Sequence, residues 1–506
     1  MNRKRRVCVV MVLFSLLFGF SSVVTADNNT LIIGGYGEAL GLDPRMETDV
    51  PSFQRINVMM EPLVKFNVDM EIAPGLAKSW HVSDDTMTLR FVLQDGVKWH
   101  DGVPFTADDV VYTFEWVLNA DNGAPNRGLY VDIDRIEVVS DTEVVFHLKQ
   151  PNSFLLNNIA RMPITPRHDG DRNDFRQNPI GTGPYKLVSW SRDDRMIFVE
   201  NEEYWGGRPN VHNLVFRTIP EDATRLLALE AQEIDFYQGN VVGRELERLE
   251  ADPTIIVQRA PGTGYEYLGF NTQVEALSDI RVRQAFCYLI DREAVVARIL
   301  WGVGSPGVGP VSEALPWFNP DVQQYEYNPE RAKELLAEAG YGPGDLKLTL
   351  HTDERATRSR VAEMIQHEAE KIGVEIEVIL EEWGAYLTRI QQTGDFELFL
   401  LGWAGQLDPD RAMIRQFSTE GANNYGKYSN ERVDYLLNLG RTVPPESQES
   451  LDIYGEAQEI IVREAPYAFT NYSAEVGLNH PWIGNWEVHP YAAGSYQNAH
   501  LITKNK

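Results

Sequence analysis

Several stretches of this chain hold residue types that could do chemistry. Gly302-Val303-Gly304-Ser305-Pro306-Gly307 has the glycine spacing that lets backbone approach a pyrophosphate. It follows a helical pattern rather than a strand, and proline stands where a helix should open, so no nucleotide site is expected there. Gly421-Ala422-Asn423-Asn424-Tyr425-Gly426-Lys427 resembles a phosphate loop, but Tyr428 follows where a magnesium-binding Ser or Thr is needed. His100-Asp101 and His351-Thr352-Asp353 pair metal-ligand types. A zinc site needs several converging ligands, and the ten histidines are scattered, so no metal is expected. Cys287 sits beside Ala285, Phe286 and Leu289 on a helical face, the setting of a buried inert thiol. HExxH, CxxC and GxSxG are absent. Carboxylates are too abundant to single out an acid/base pair. Neither a catalytic set nor a cofactor is expected.

The most informative stretch is Phe396 to Asp410, FELFLLGWAGQLDPD. Leu398-Phe399-Leu400-Leu401 suits a fully buried strand of a parallel sheet. Gly402-Trp403-Ala404-Gly405 would then put one tryptophan and bare backbone at the strand's C-terminal end, where open α/β sheets hold ligands. Trp403 could equally be a core aromatic.

The surrounding elements favour a ligand. Lys347 to Leu350, Glu375 to Ile379 and Phe396 to Leu401 read as strands. Arg355 to Ile372 and Trp383 to Gln391 between them have helical periodicity. Such alternation predicts a parallel sheet with right-handed crossovers. Its strand ends deliver Thr352-Asp353, Glu381-Glu382-Trp383 and Trp403-Ala404-Gly405 to one edge. Earlier in the chain, Leu31-Ile32-Ile33 is a strand with a glycine-rich exit, Gly34-Gly35-Tyr36-Gly37. Thr106 and Asp109 have capping-box spacing before an amphipathic helix. Arg281 to Leu289 and Glu293 to Leu300 read as helices, and Asn328-Pro329 starts another that Gly340 ends. No repeat or low-complexity linker is visible, so domain crossings should be short strands.

The 506 residues are enough for two or three domains. Arg3-Lys4-Arg5-Arg6, the apolar run Val7 to Phe20 and the small residues ending at Ala26 form a secretory signal peptide pattern, with cleavage expected after Ala26. Only Cys287 would remain after cleavage, so an internal disulfide is excluded and the core must stabilise the exported chain. Cys8 lies too early for a lipid anchor. A net charge of −28 argues against nucleic acid and anionic lipid as partners. An exported multi-domain α/β protein without a catalytic set is most simply a binding protein. An exported hydrolase with dispersed residues is the rival class.

The chain also resembles a known family. Pro74-Gly75-Leu76-Ala77-Lys78-Ser79-Trp80, Gly96-Val97-Lys98-Trp99-His100-Asp101-Gly102 and Phe105-Thr106-Ala107-Asp108-Asp109-Val110 are similar to stretches of the family 5 extracellular solute-binding proteins. So are Gly181-Thr182-Gly183-Pro184-Tyr185, Tyr204-Trp205-Gly206-Gly207 and Val282-Arg283-Gln284-Ala285-Phe286. The family is the dipeptide, oligopeptide and nickel-binding type that serves ABC importers, and the resemblance covers nearly the whole chain after the signal. It implies a two-lobed periplasmic-binding-protein-like α/β fold (class II, cluster C) with an extra domain in the first lobe. On that pattern lobe I is residues 27–60, 171–270 and 471–506, the extra domain 61–170, and lobe II 271–470.

The resemblance further implies a periplasmic monomer that closes on a small solute and docks on permease subunits. A peptide is the first expectation; an oligosaccharide, a metal chelate or an opine-like compound are alternatives. In peptide-binding members the ligand pairs with main chain along the tryptophan loop, here Trp403, Ala404 and Gly405. The family's amine-holding aspartate position is Gln406 in this chain. An amide cannot make the charge-assisted bond, so Asp408 or Asp410 is expected to replace it unless Asp408 caps the next helix. Arg360 matches the segment carrying a carboxylate-binding arginine, with Arg355 and Arg358 as alternatives and a solvated helix face as the other reading. Glu382 and Trp383 lie on the same edge. Tyr265, Tyr267, Asn271, Gly37 and Glu38 are further candidates for the cleft.

Overall fold

Alternating and continuous apolar runs make the strands, and their pairing assembles one large sheet. The structure is a computed structural model and describes residues 29–506 apart from 240, 242 and 446. The expected signal segment lies outside the described residues. Ten strands form the main path: β1 (Thr30–Gly35), β2 (Tyr185–Ser191), β3 (Arg195–Glu200), β4 (Asn213–Thr218), β5 (Phe236–Gln238), β6 (Ile256–Phe270), β7 (Lys347–Asp353), β8 (Glu375–Glu381), β9 (Leu398–Trp403) and β10 (Tyr467–Asn479). Their order is β8-β7-β9-β6-β10-β5-β1-β4-β3-β2.

The two ends of the sheet are built differently. At one end β7 pairs parallel with both β8 and β9, as the strand and helix alternation predicts. Helices Ala356–Lys371 and Trp383–Thr388 connect them. At the other end β1 lies parallel between β4 and β5, and β3 and β2 continue antiparallel. Strands β6 and β10 join the two, antiparallel from Ile256 opposite Asn479 to Gly269 opposite Tyr467. Only Tyr265–Phe270 of β6 meets β9, and only Gly477–Asn479 of β10 meets β5. Register slips between Pro261 and Tyr265, where the pair passes from one end to the other. The fold is therefore α/β and two-lobed, with strand crossings instead of tethers.

A separate four-stranded sheet holds Ala77–Val82, Thr88–Leu93, Glu143–Leu148 and Ile133–Ser140 in that order. Helix Ala107–Leu118 packs on it, with Phe114 edge-on to Phe146 at 5.1 Å. The Asp109 carboxylate accepts the Thr106 N–H at 2.9 Å, closing the expected cap.

Two expected helices depart from their periodicity: Trp383–Gln391 is α over Trp383–Thr388 and widens to π over Arg389–Thr393. The expected Glu293–Leu300 helix is α only over Arg292–Ala294 and widens to π over Val295–Ile299. Single π turns concentrate at functional sites. This one ends at Leu300 and Trp301, which border the space between the lobes.

His100 has a structural role. Its Nδ1 accepts the Gly181 N–H at 3.1 Å, and its Nε2 lies 3.0 Å from the Gly183 carbonyl. Burial pushes the imidazole down to about 4. The folded ring stays neutral while the unfolded chain takes up a proton near pH 6.5. This contribution to stability is whole above pH 6.5 and is lost as pH falls toward 4. The expected loss is about 2 kcal/mol at pH 4.5. Urea midpoints at pH 7 and 4.5 check it, since His100→Asn should lack this part of the slope.

Candidate ligand-binding cleft

Strand β9 is apolar because both its faces are covered: Leu398, Phe399, Leu400 and Leu401 are all buried. It emerges half-buried at Gly402 and Trp403. Glycine at 402 leaves room for the Glu266 carboxylate, which lies opposite on β6. That carboxylate takes Nε and Nη2 of Arg358 at 2.8 and 3.0 Å, while Nη1 of Arg358 reaches Asp353 at 2.9 Å. One guanidinium thus ties the crossing strand to the C-terminal end of β7.

Beyond Trp403 the chain walls a cavity of about 680 Å³ between the lobes. Ala404, Gly405, Arg355 and Trp301 face it from one lobe; Tyr36, Gln238, Glu475 and Tyr491 face it from the other. Thr263 and Gly264 line it where β6 crosses. Gly264 passes so close to the tryptophan loop that a Cβ there would lie 2.5 Å from the Trp403 carbonyl oxygen. The Gln406 N–H donates to the Thr263 carbonyl at 3.2 Å and holds the loop against the strand. A smaller cavity of about 200 Å³ adjoins the first, sharing Thr357, Ser473 and Ala474, with Glu266 and Arg358 in its wall.

The charges in the main cavity are few. Asp222 is paired with Arg225 at 2.5 Å. Arg355 pairs with Asp353 at 2.9 Å and lies 4.9 Å over the Trp383 ring. Burial pushes the Glu475 carboxyl up to about 7 and the Tyr36 phenol up to about 12. Open backbone, tyrosines and opposite charges in a cavity of this size are binding chemistry. Among the described residues no group of three or more His, Cys, Asp or Glu could hold a metal ion.

Residues 71–425 match the model of the bacterial extracellular solute-binding proteins, family 5 Middle. The chain belongs to this family of extracellular solute-binding proteins. The dipeptide-binding protein of Escherichia coli (strain K12) is 29% identical, over 96% of this chain and 97% of its own length. The oligopeptide-binding protein AppA of Bacillus subtilis (strain 168) is 30% identical, over 87% of this chain and 86% of its own. The solved structure of HbpA2 from Haemophilus parasuis superposes with a TM-score of 0.87 at 26% identity, covering 94% of this chain and 100% of that one. The family consists of binding proteins rather than enzymes.

The candidates named from sequence fall into two groups in this family 5 protein. Ala404 and Gly405 line the cavity, and Trp403 stands half-buried behind them, with its ring 6.2 Å from Tyr425. Among the described residues its buried Nε1 has no hydrogen-bond partner. Gln406 is buried and turns its Nε2 back to the Ala404 carbonyl at 3.0 Å, leaving its Oε1 without a partner among the described residues. Asp408 is 1% exposed and accepts the Arg411 N–H at 2.8 Å, the capping alternative. Burial and the neighbouring Asp410 push its carboxyl up to about 7. It does not line the cavity.

Other candidates point elsewhere. Arg360 is exposed on helix Ala356–Lys371 and outside the cavity lining, because it stands on the solvent face while Arg358 turns inward. Arg355, just before that helix, is the arginine that lines the cavity. Glu382 caps the next helix through the Gly384 and Ala385 N–H groups, and Trp383 is exposed beneath Arg355. Tyr265 and Tyr267 are core residues: both are buried, and Tyr267 stacks on Tyr467 at 3.8 Å. Asn271 bonds the Phe396 carbonyl at the opposite end of β9, about 20 Å of strand away from Trp403. Gly37 gives its carbonyl to Arg55, and Glu38 takes the Trp190 and Thr218 side chains, so Tyr36 is the loop residue that reaches the cavity. Gln238 and Glu475 went unnoticed in the sequence. Glu475 is the one charged residue in strand β10, and that is the signal for it.

Proposed function

We propose that this chain is the receptor of an ABC importer that captures a short peptide-like solute in the 680 Å³ cleft and delivers it to the permease. The observation that carries the reading is open backbone at Ala404–Gly405 beside the opposite charges of Arg355 and Glu475. An extended ligand can pair with such backbone as an added strand. The similarity to dipeptide-binding and oligopeptide-binding proteins favours the same ligand class. An irregular two-strand crossing suits hinge closure.

The finer organisation follows that reading. Lobe I is residues 27–60, 171–270 and 471–506, the extra domain 61–170, and lobe II 271–470, with bending concentrated at Pro261–Tyr265. The basic start and apolar run of residues 3–20 support export and cleavage after Ala26. No helix among the described residues is long and apolar enough to cross a membrane. The protein acts as a periplasmic monomer without a cofactor. Incubating the exported form with a peptide library, desalting and identifying what is retained by mass spectrometry tests the function. Intact short peptides are expected. Cleaved products, or no retained peptide, would overturn it.

A further inference from the structure

Among the described residues, the cavity wall holds one carboxylate that no cation neutralises. Of the charged residues lining it, Asp222 is held by Arg225 and Arg355 by Asp353. Glu475 has no ion pair among the described residues, and its hydrogen-bond donor is Nε2 of Gln238 at 3.2 Å. That amide cannot turn away. Its Nε2 also donates to the His489 carbonyl at 2.7 Å, and its Oε1 accepts the His489 N–H at 3.0 Å. Glu475 is anchored from behind as well, because its backbone is in register with Ala260 on β6. Tyr36 and Tyr491 share the cavity wall with it.

Resting on the receptor reading above, we propose that Glu475 on the crossing strand β10 receives the cationic group of the ligand, an ammonium, in place of an aspartate in the loop after Trp403. The positions in that loop are otherwise occupied. Gln406 is neutral and folded onto its own loop, and Asp408 caps the following helix outside the cavity. A fixed carboxylate beside aromatic rings is the arrangement that selects an ammonium, by a charge-assisted hydrogen bond and by cation–π attraction. Arg355 faces the same cavity from the other lobe and suits an anionic group at the far end of the ligand. Closing the lobes then brings opposite charges onto the two ends of one zwitterion. Burial raises the Glu475 carboxyl, and an incoming cation would ionise it.

Calorimetric titration of wild type and Glu475→Gln tests this, using trialanine, N-acetyl-trialanine, N-acetyl-Ala-Lys-Ala amide and 1,5-diaminopentane as probes. The substitution keeps size and the Gln238 contact, and a melting curve confirms that the variant is folded. Glu475→Gln is expected to weaken an ammonium probe about 30-fold while leaving the affinity for N-acetyl-trialanine unchanged. Dependence on trialanine identifies the ligand's α-ammonium; dependence on the acetylated lysine peptide identifies a side-chain ammonium. Wild type that binds the diamine in a Glu475-dependent way but takes no peptide would sink the peptide reading and leave the cation site standing. Equal affinities of wild type and variant for every ammonium probe, or an equal loss for N-acetyl-trialanine, would overturn the proposal. So would wild type that binds no ammonium probe.

Discussion

Arg358→Ala is expected to lower the unfolding free energy by about 3 kcal/mol. The guanidinium is buried and makes three charge-assisted bonds, two to Glu266 and one to Asp353. Removing it leaves two carboxylates facing each other across a cavity edge. Full loss of a buried partner costs about 3–5 kcal/mol. The lower end applies because Asp353 keeps Arg355, and the Glu266 side chain is 36% exposed. Arg358→Lys should recover part of the loss, since an ammonium can satisfy one carboxylate but not the fork of Glu266. Arg360→Ala, two residues on and exposed, should stay within about 0.5 kcal/mol of wild type. Guanidinium chloride unfolding of the three variants measures the comparison. A silent Arg358→Ala would mean that the bridge between β6 and β7 is not needed.

Gly264→Ala is expected to cost the protein about tenfold or more in affinity for trialanine while leaving it folded. The added methyl would sit 2.5 Å from the Trp403 carbonyl oxygen and 3.2 Å from the Ala404 Cα, so the loop or the strand must move. Neither neighbour is a flexible side-chain end, and overpacking of this kind costs about 1–3 kcal/mol. The displaced segment, Trp403–Gly405, holds the backbone that the proposed function gives to the ligand. Each hydrogen bond lost there is worth about 1 kcal/mol, so two account for the expected weakening. Calorimetry reads affinity, and a melting curve separates it from unfolding. Unchanged affinity would show that the ligand does not use the tryptophan loop.

The two expectations differ in how far the sequence foretold them. The β7, β8 and β9 unit was legible because helical and strand periodicities alternate without interruption from Lys347 to Leu401. Trp403 was legible as a strand-end residue for the same reason. Arg355 and Arg358 were named only as alternatives to Arg360. Their sequence neighbourhood is the same, and which guanidinium turns inward depends on where the helix begins and which carboxylates meet it. Asp353 and Glu266 are far apart in the chain, and only the sheet brings them to one arginine.

Tyr265 and Tyr267 show the opposite error. An aromatic pair near a hinge reads as cleft wall, yet β6 runs through the interior of a lobe once it has crossed, so both rings pack into the core. Asn271 failed on direction: β9 runs antiparallel to β6, which places the start of one beside the end of the other.

By itself the sequence determined the α/β class, the order of the elements and the membership implied by its short structural stretches. These depend on local periodicity, turn residues and caps, which act within a few positions. The binding site depends on contacts across the fold. Tertiary structure alone decided that Asp408 is a cap and that Arg355 reaches the cavity. It also placed Glu475, some 70 residues beyond the tryptophan loop, in the wall of that cavity. The physical reason is that the cleft is made where two strands lose register between the lobes. Which side chains face that gap is set by the pairing of β6 with β9 and β10, and pairing between distant strands leaves no periodic trace in either one.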